Sequence, residues 1–141
     1  MTRDDVLALL ERRDAAWAAR DAAALASVHA LDGVVVSPTG GVLEGRAEIE
    51  RVYRVWLTAF PDIVVQRETA VIEGGEVAVL ARFSATHAGE FFGMPASGRR
   101  IDALVSMWLT LAQGSIARER RVYDFTGLLV QTGVLKAKPV G

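Results

Sequence analysis

Two stretches carry residue types suited to acid–base chemistry. One is "RERRVYDFTGLLVQTG", residues 118–133, where Asp124 stands between a charged strand and an apolar, helix-like tail. The other is "THAGEFFGMPASGRR", residues 86–100, where His87 precedes a loop with glycines and a proline. A carboxyl group in an apolar cleft is disfavoured in its charged form, so its pKa rises towards working pH and it can take and return a proton. The same aspartate also fits a plain structural role, capping the helical tail by accepting a backbone N–H. Both readings stand at this point. His87 divides the same way, between a hydrogen-bonded loop anchor and a pocket group that donates to a developing oxyanion or relays a proton. Arg120, four residues before Asp124, is either a side chain reaching the rim or a cation that holds an enolate or carboxylate. As a cation it would pull the Asp124 pKa down and oppose burial.

Aromatic residues supply candidate walls. Tyr53, Trp56 and Phe60 form a stripe at helical spacing that serves the core, a cavity, or both. Phe91, with Phe92 and Met94, sits in a loop placed to roof a cavity, and Met107 falls on a strand face that can line one. The run Gly98-Arg99-Arg100 is no phosphate loop, because it lacks the glycine spacing and a following helix.

Composition limits the chemistry. The chain has 141 residues, 51% hydrophobic, with a net charge of -1, which fits one domain over residues 1–141 and gives no electrostatic case for a nucleic-acid partner. There is no cysteine, and the only histidines are His29 and His87, so neither thiol catalysis nor a metal site is expected. His29 reads as structural or surface. The N-terminus lacks a signal-peptide layout and no apolar run reaches membrane-spanning length, so the expected location is the cytoplasm. Plentiful Ala, Val and Arg with scarce Lys point to a GC-rich bacterial genome.

These groups need elements to position them. Thr2 with Asp5 marks a helix start, and Val6, Leu9, Leu10 and Trp17 share one face. Asp21 starts a second, short helix. Val34 to Val36 and Val42-Leu43 flank Pro-Thr-Gly-Gly as a hairpin, and "GRAEIERVYRVWLTAFPD" is an amphipathic helix that Pro61 cannot continue. Residues 63–72, 77–87, 101–111 and 116–123 read as strands, with tight turns at Glu73-Gly74-Gly75 and Gln113-Gly114. The order of helix, helix, hairpin, helix and four strands predicts an α+β fold, helices on one side of an antiparallel sheet.

A two-residue Gln113-Gly114 turn would set Met107 opposite Arg120, Val105 opposite Val122 and Ala103 opposite Asp124. Alternation then places Arg120, Val122 and Asp124 on the face towards the helices, and Trp108, Glu119, Arg121 and Tyr123 on the other. A one-residue slip would invert the strand. The mixture of Trp108 and Tyr123 with charges suits a homodimer interface.

The chain resembles the SnoaL-like polyketide cyclases, of the nuclear-transport-factor-2-like and ketosteroid-isomerase-like fold. "DGVVVSPTGGVLEGRAEI", "VWLTAFPDI", "THAGEFFGMPASGRR" and "GSIARERRVYDFTGLLVQTG" carry the resemblance, over about residues 17–135. It implies a curved sheet wrapped into a cone, closed by three helices around a pocket. It also implies ring closure by aldol condensation with no metal or organic cofactor, on a small apolar carbonyl compound. The aspartate at the position of Asp124 would be the acid/base. Members often carry an aromatic residue at the position of Arg120, so arginine there changes pocket size and charge. Two other functions stay open on this fold. One is epoxide hydrolysis, which needs two carboxylates and an arginine, and for which the register leaves Asp102 on the wrong face. The other is a non-catalytic small-molecule-binding or dimerisation module.

Overall fold

The sequence signals translate into elements with few surprises at the N-terminal half. The computed structural model describes residues 1–136; residues 137–141, part of the single domain expected, lie outside the described residues. Helix α1 spans Arg3–Ala19 and begins at a capping box, Thr2 Oγ1 accepting the Asp5 N–H (3.1 Å) while the Asp5 carboxylate accepts the Thr2 N–H (2.8 Å). Its buried face is Val6, Leu9, Leu10, Arg13 and Ala16, an apolar stripe broken by one arginine. Asp21 caps the short α2 (Ala22–Ser27). Strands β1 (His29–Ser37) and β2 (Gly41–Glu44) form the hairpin, and α3 (Arg46–Ala59) ends ahead of Pro61 with Ile49, Val52, Tyr53, Trp56 and Ala59 buried. The strands that follow are β3 (Val64–Glu73), β4 (Glu76–Thr86), β5 (Arg100–Ala112) and β6 (Ser115–Tyr123), and a short α4 (Phe125–Gln131) ends the described fold.

All six strands join one curved, open sheet in the order β2-β1-β6-β5-β4-β3. The expected α+β class is right. The sheet is mixed rather than wholly antiparallel, because β1 runs parallel to β6. Helices α1 to α3 pack over its inner face, where the core lies. The fourth helix, α4, is pinned to β5 by the Gln131 amide, which accepts the Asp102 N–H (2.7 Å) and donates to the Asp102 carbonyl (2.9 Å). No helix among the described residues is long and apolar enough to cross a membrane.

The last hairpin departs from the expected register. Its turn is as predicted, with Ala112 opposite Ser115 and Leu111 opposite Ile116. Then Thr110 pairs with Arg118, leaving Ala117 as an extra residue on β6. This β-bulge moves every later side chain of β6 to the other face. Met107 therefore faces Arg121, Val105 faces Tyr123, and Ala103 pairs only with Phe83. Glu119, Arg121 and Tyr123 point to the inner face, with Leu109, Met107 and Val105. Arg120 and Val122 point outward, with Trp108 and Ser106. The expected inner placement of Arg120, Val122 and Asp124, and the outer placement of Glu119, Arg121 and Tyr123, are thus corrected.

Candidate active site

A cavity of about 50 Å³ lies between the inner sheet face and helices α1 and α3. That is room for about three or four waters, or one small ring. Trp17, Trp56, Phe83 and Tyr123 wall it with Ile63, Val65, Val105 and Met107, and Arg13 and Arg121 supply its polar side. Trp56, on the buried face of α3, meets Phe83, Tyr123 and Phe91 edge-on, with ring centroids 5.7, 5.6 and 4.7 Å away. Such edge contacts set the orientation of the rings as well as burying them.

Behind this wall sits a buried ionic cluster. Arg13 donates from both terminal nitrogens to the Glu119 carboxylate (2.5 and 3.0 Å) and from one of them to Met107 Sδ (3.3 Å). Arg121 Nε donates to the same carboxylate, and its Nη2 donates to Tyr53 Oη at 2.8 Å. The Arg121 guanidinium also lies over the Tyr53 ring, 4.9 Å from its centroid. Tyr53 Oη is 2.8 Å from His29 Nε2. Because arginine can only donate, the Tyr53 proton is left for His29 Nε2. Glu119, His29 and Tyr53 are fully buried and Arg13 is 4% exposed, so charge–charge effects in the cluster are little screened by water.

The electrostatics follow from burial and charge together. Burial would raise the Glu119 carboxyl, but Arg121 and Arg13 more than offset it and hold it well below the usual carboxylate range. Burial would depress Arg13 and Arg121, and Glu119 reverses this, holding both guanidiniums above their ordinary value. Burial, aided by the surrounding arginines, pushes His29 down to about 3 against the pull of Glu119, so it is neutral at working pH. Tyr53 and Tyr123 are both raised by burial and remain protonated hydroxyls. The Tyr123 hydroxyl also hydrogen-bonds Thr39 Oγ1 in the β1–β2 turn.

Sequence reasoning found part of this. Trp56 and Met107 line the cavity as expected. Tyr53 stands behind it, in the cluster. Phe60 and Phe91 are buried and pack on Trp56 without lining the cavity. Phe92 is 40% exposed at the tip of the 91–94 turn. His87 is buried but away from the cavity: its Nδ1 accepts the Ser97 N–H (3.3 Å) and meets Ser97 Oγ (2.9 Å), and its ring packs on Phe60. It anchors its loop, which passes so close to α3 that a Cβ on Gly89 would strike the Thr58 carbonyl. Arg120 is exposed on the outer face. Asp124 is exposed as well and caps α4, its Oδ1 accepting the Gly127 N–H at 2.8 Å. The structure therefore brings neither Arg120 nor Asp124 to the cavity, because the bulge at Ala117 turns β6 over.

Four cluster members were missed: Arg13, His29, Glu119 and Arg121. Arg13 had a legible signal, since it falls between Leu10 and Trp17 on the apolar face of α1. Glu119 and Arg121 had none apart from the register. Among the described residues no group of three or more His, Asp or Glu could hold a metal ion.

Comparison with known proteins agrees with this architecture. A family model described as SnoaL-like polyketide cyclase matches residues 8–132. AclR of Streptomyces galilaeus, described as a candidate hydroxylase, superposes with a TM-score of 0.85 at 26% identity, over 98% of this chain and 87% of that one. TsrD of Streptomyces laurentii gives 0.85 at 26%, over 96% and 99%. A protein of ketosteroid-isomerase-like fold from Catenulispora acidiphila, solved with trimethylamine, gives 0.78 at 20%, over 93% and 97%, and so bears on the fold alone. No curated protein matches the chain by sequence. With the family model covering nearly the whole described fold, the chain belongs to the SnoaL-like polyketide cyclase family.

Proposed function

We propose that this chain is a cyclase- or isomerase-type enzyme that polarises a small carbonyl compound with Arg121 rather than with an aspartate. The observation that supports this is the third nitrogen of the guanidinium. Arg121 spends Nε on Glu119 and Nη2 on Tyr53, while Nη1 makes no hydrogen bond among the described residues and the side chain lines the cavity. A ketone oxygen at Nη1 would gain charge as its α-proton leaves, and a fixed cation in an aromatic-walled cavity stabilises that oxyanion more than the neutral ketone. The enolate carbon can then form a bond to a second carbonyl of the same molecule. The alkoxide so made would take a proton from solvent, with the Tyr123 hydroxyl as hydrogen-bond donor beside it. Glu119 is ill suited to take the α-proton, since two guanidiniums keep it a weak base. The substrate must therefore be acidic enough, as 1,3-dicarbonyls are, to lose that proton to solvent or to one of its own oxygens.

The test uses pentane-2,4-dione, a 1,3-dicarbonyl of seven heavy atoms whose enolate has its own absorbance. Bound to the wild type, it should ionise as if at least about one pH unit more acidic, equivalent to about 1.4 kcal/mol. Arg121→Gln should abolish the shift. An unshifted titration of the saturated wild-type complex would contradict the proposal.

A second reading is a binding module without turnover. It is favoured by the lack, among the described residues lining the cavity, of any carboxylate or histidine. Epoxide hydrolysis is less well supported, because the cluster offers one carboxylate, Glu119, where that chemistry needs two. We also propose a homodimer through the outer sheet face, where Leu104, Trp108 and Val122 are 43, 48 and 66% exposed. Tyr123, expected there, is buried on the inner face and is not part of that surface. The cytoplasm remains the proposed location.

A further inference from the structure

The walls of the cavity are not alike in what lies behind them. Its volume of about 50 Å³ takes the head of a small diketone or one small ring, but not both. Phe83, Val105, Met107 and Tyr123 stand on the sheet, so the backbone of β4, β5 and β6 lies directly behind them. Trp17, on α1, is partly exposed and borders solvent. Trp56 differs from both. Behind its indole are two more buried rings, Phe60 and Phe91, with centroids 5.5 and 4.7 Å away. Those two rings are 5.0 Å from each other, and neither lines the cavity. The indole is therefore a partition between the cavity and a second apolar layer.

The partition is held in place from both sides. On the cavity side the indole meets Phe83 and Tyr123 edge-on, and on the far side it meets Phe60 and Phe91. Swinging it aside would break four ring contacts at once, each worth about 0.5–1.5 kcal/mol beyond burial. Phe91 belongs to the β4–β5 connection, and that connection is fastened. The Ala88 and Gly89 N–H groups both donate to the Ala59 carbonyl at the end of α3 (3.0 Å each). The His87 N–H donates to the Arg99 carbonyl, and the Gly98 N–H donates to the His87 carbonyl (2.9 Å each), which closes the loop at its base. The layer behind Trp56 thus gives it no room to retreat.

We infer that Trp56 sets the size of the substrate: the chain takes a compact aliphatic 1,3-dicarbonyl that closes at most one ring, and rejects one that carries an aryl arm. This rests on the reading of the cavity as the site of a carbonyl compound, and it adds the upper limit of that compound. An aryl arm would have to occupy the space of the indole, and forcing extra volume into a packed interior is costly. With the indole removed, the arm would lie against Phe60 and Phe91, an aromatic surface already shaped around one flat ring. Truncating a sheet residue such as Val105 opens no such layer, because the strand backbone is behind it.

Pentane-2,4-dione and 1-phenylbutane-1,3-dione share one dicarbonyl and differ by a phenyl group in place of a methyl. Calorimetry on the wild type should give the phenyl compound a Kd at least about tenfold higher. Trp56→Ala should reverse the order, binding the phenyl compound at least about tenfold more tightly than pentane-2,4-dione. Should Trp56→Ala fail to fold, Trp56→Leu keeps an apolar filling and should bring the two Kd values within about threefold of each other. Equal affinities in the wild type would overturn the inference. So would a folded Trp56 variant that still excludes the phenyl compound. A Val105→Ala variant that admits it as readily as Trp56→Ala would do the same, because the limit would then belong to the cavity as a whole. A wild type that shifts the pentane-2,4-dione titration yet binds both compounds alike would leave the proposed function standing and remove only the size limit. A wild type that discriminates between them without shifting the titration would do the reverse.

Discussion

Single residues in this protein take their meaning from burial. Asp124 looked equally suited to a cap and to an acid/base, and its side chain accepts the Gly127 N–H in solvent. His29, passed over in the sequence as structural or surface, is wholly buried against Tyr53. Its folded pKa of about 3 lies below the unfolded value of 6.5. Between those values the unfolded chain binds a proton that the folded one refuses, so stability is full above pH 6.5 and falls as pH drops towards 3. The slope is about 1.4 kcal/mol per pH unit, which makes about 2 kcal/mol lost by pH 5. Glu119, also depressed, adds to the loss below its ordinary value of 4.5. Urea unfolding at pH 7, 6 and 5 should show this decline, and His29→Gln should remove most of it over that range. A wild type as stable at pH 5 as at pH 7 would mean that His29 protonates in place. None of this was legible in the sequence, because the shift needs the packing of α2, α3 and β6 around one imidazole.

Elements were more legible than the contacts between them. The 3.6-residue period of α3, the Pro61 stop, the turns at Gly74-Gly75 and Gln113-Gly114, and the strands of the second half all follow from local pattern. The sequence does not announce the bulge at Ala117. A turn fixes the first pair of a hairpin, whereas a bulge is set by which side chains find room on each face further along. Here Ile116 and Glu119 are both fully buried, and only an extra residue between them allows it. Deleting Ala117 removes only the extra residue, so Arg118 would follow Ile116 in plain alternation and Glu119 and Arg121 would stay on the inner face. The expected result is a cooperative calorimetric transition within several degrees of the wild type, whereas inserting an alanine between Arg118 and Glu119 should abolish it by turning Glu119 outward and leaving Arg13 unpaired. A deletion that fails to melt cooperatively would show that the faces of β6 depend on Ala117 itself.

At the scale of the whole molecule, the sheet has two unlike sides. The inner side holds the core, the cavity and the ionic cluster, and the outer side leaves Trp108 half exposed beside Leu104 and Val122. The expectation of a sheet-face dimer keeps Trp108 and loses Tyr123 for the same reason that Arg121 moved inward. Trp108→Glu should shift sedimentation from dimer to monomer without changing the thermal transition of the separated chain by more than a few degrees. A wild type that sediments as a monomer would end that proposal. The parallel β1–β6 pair was likewise beyond local reading, because it joins the two ends of the fold.

The central claim is that the chemistry belongs to Arg121 inside the cavity and not to Asp124 outside it. The most direct measurement is the diketone titration on Arg121→Gln and Asp124→Asn side by side, each first shown to be folded. The account predicts that Asp124→Asn keeps the acidity shift, at a stability cost of about 1 kcal/mol or less for the weakened cap, and that Arg121→Gln loses it. A shift that survives in Arg121→Gln and disappears in Asp124→Asn would contradict the account and return the aspartate to the mechanism.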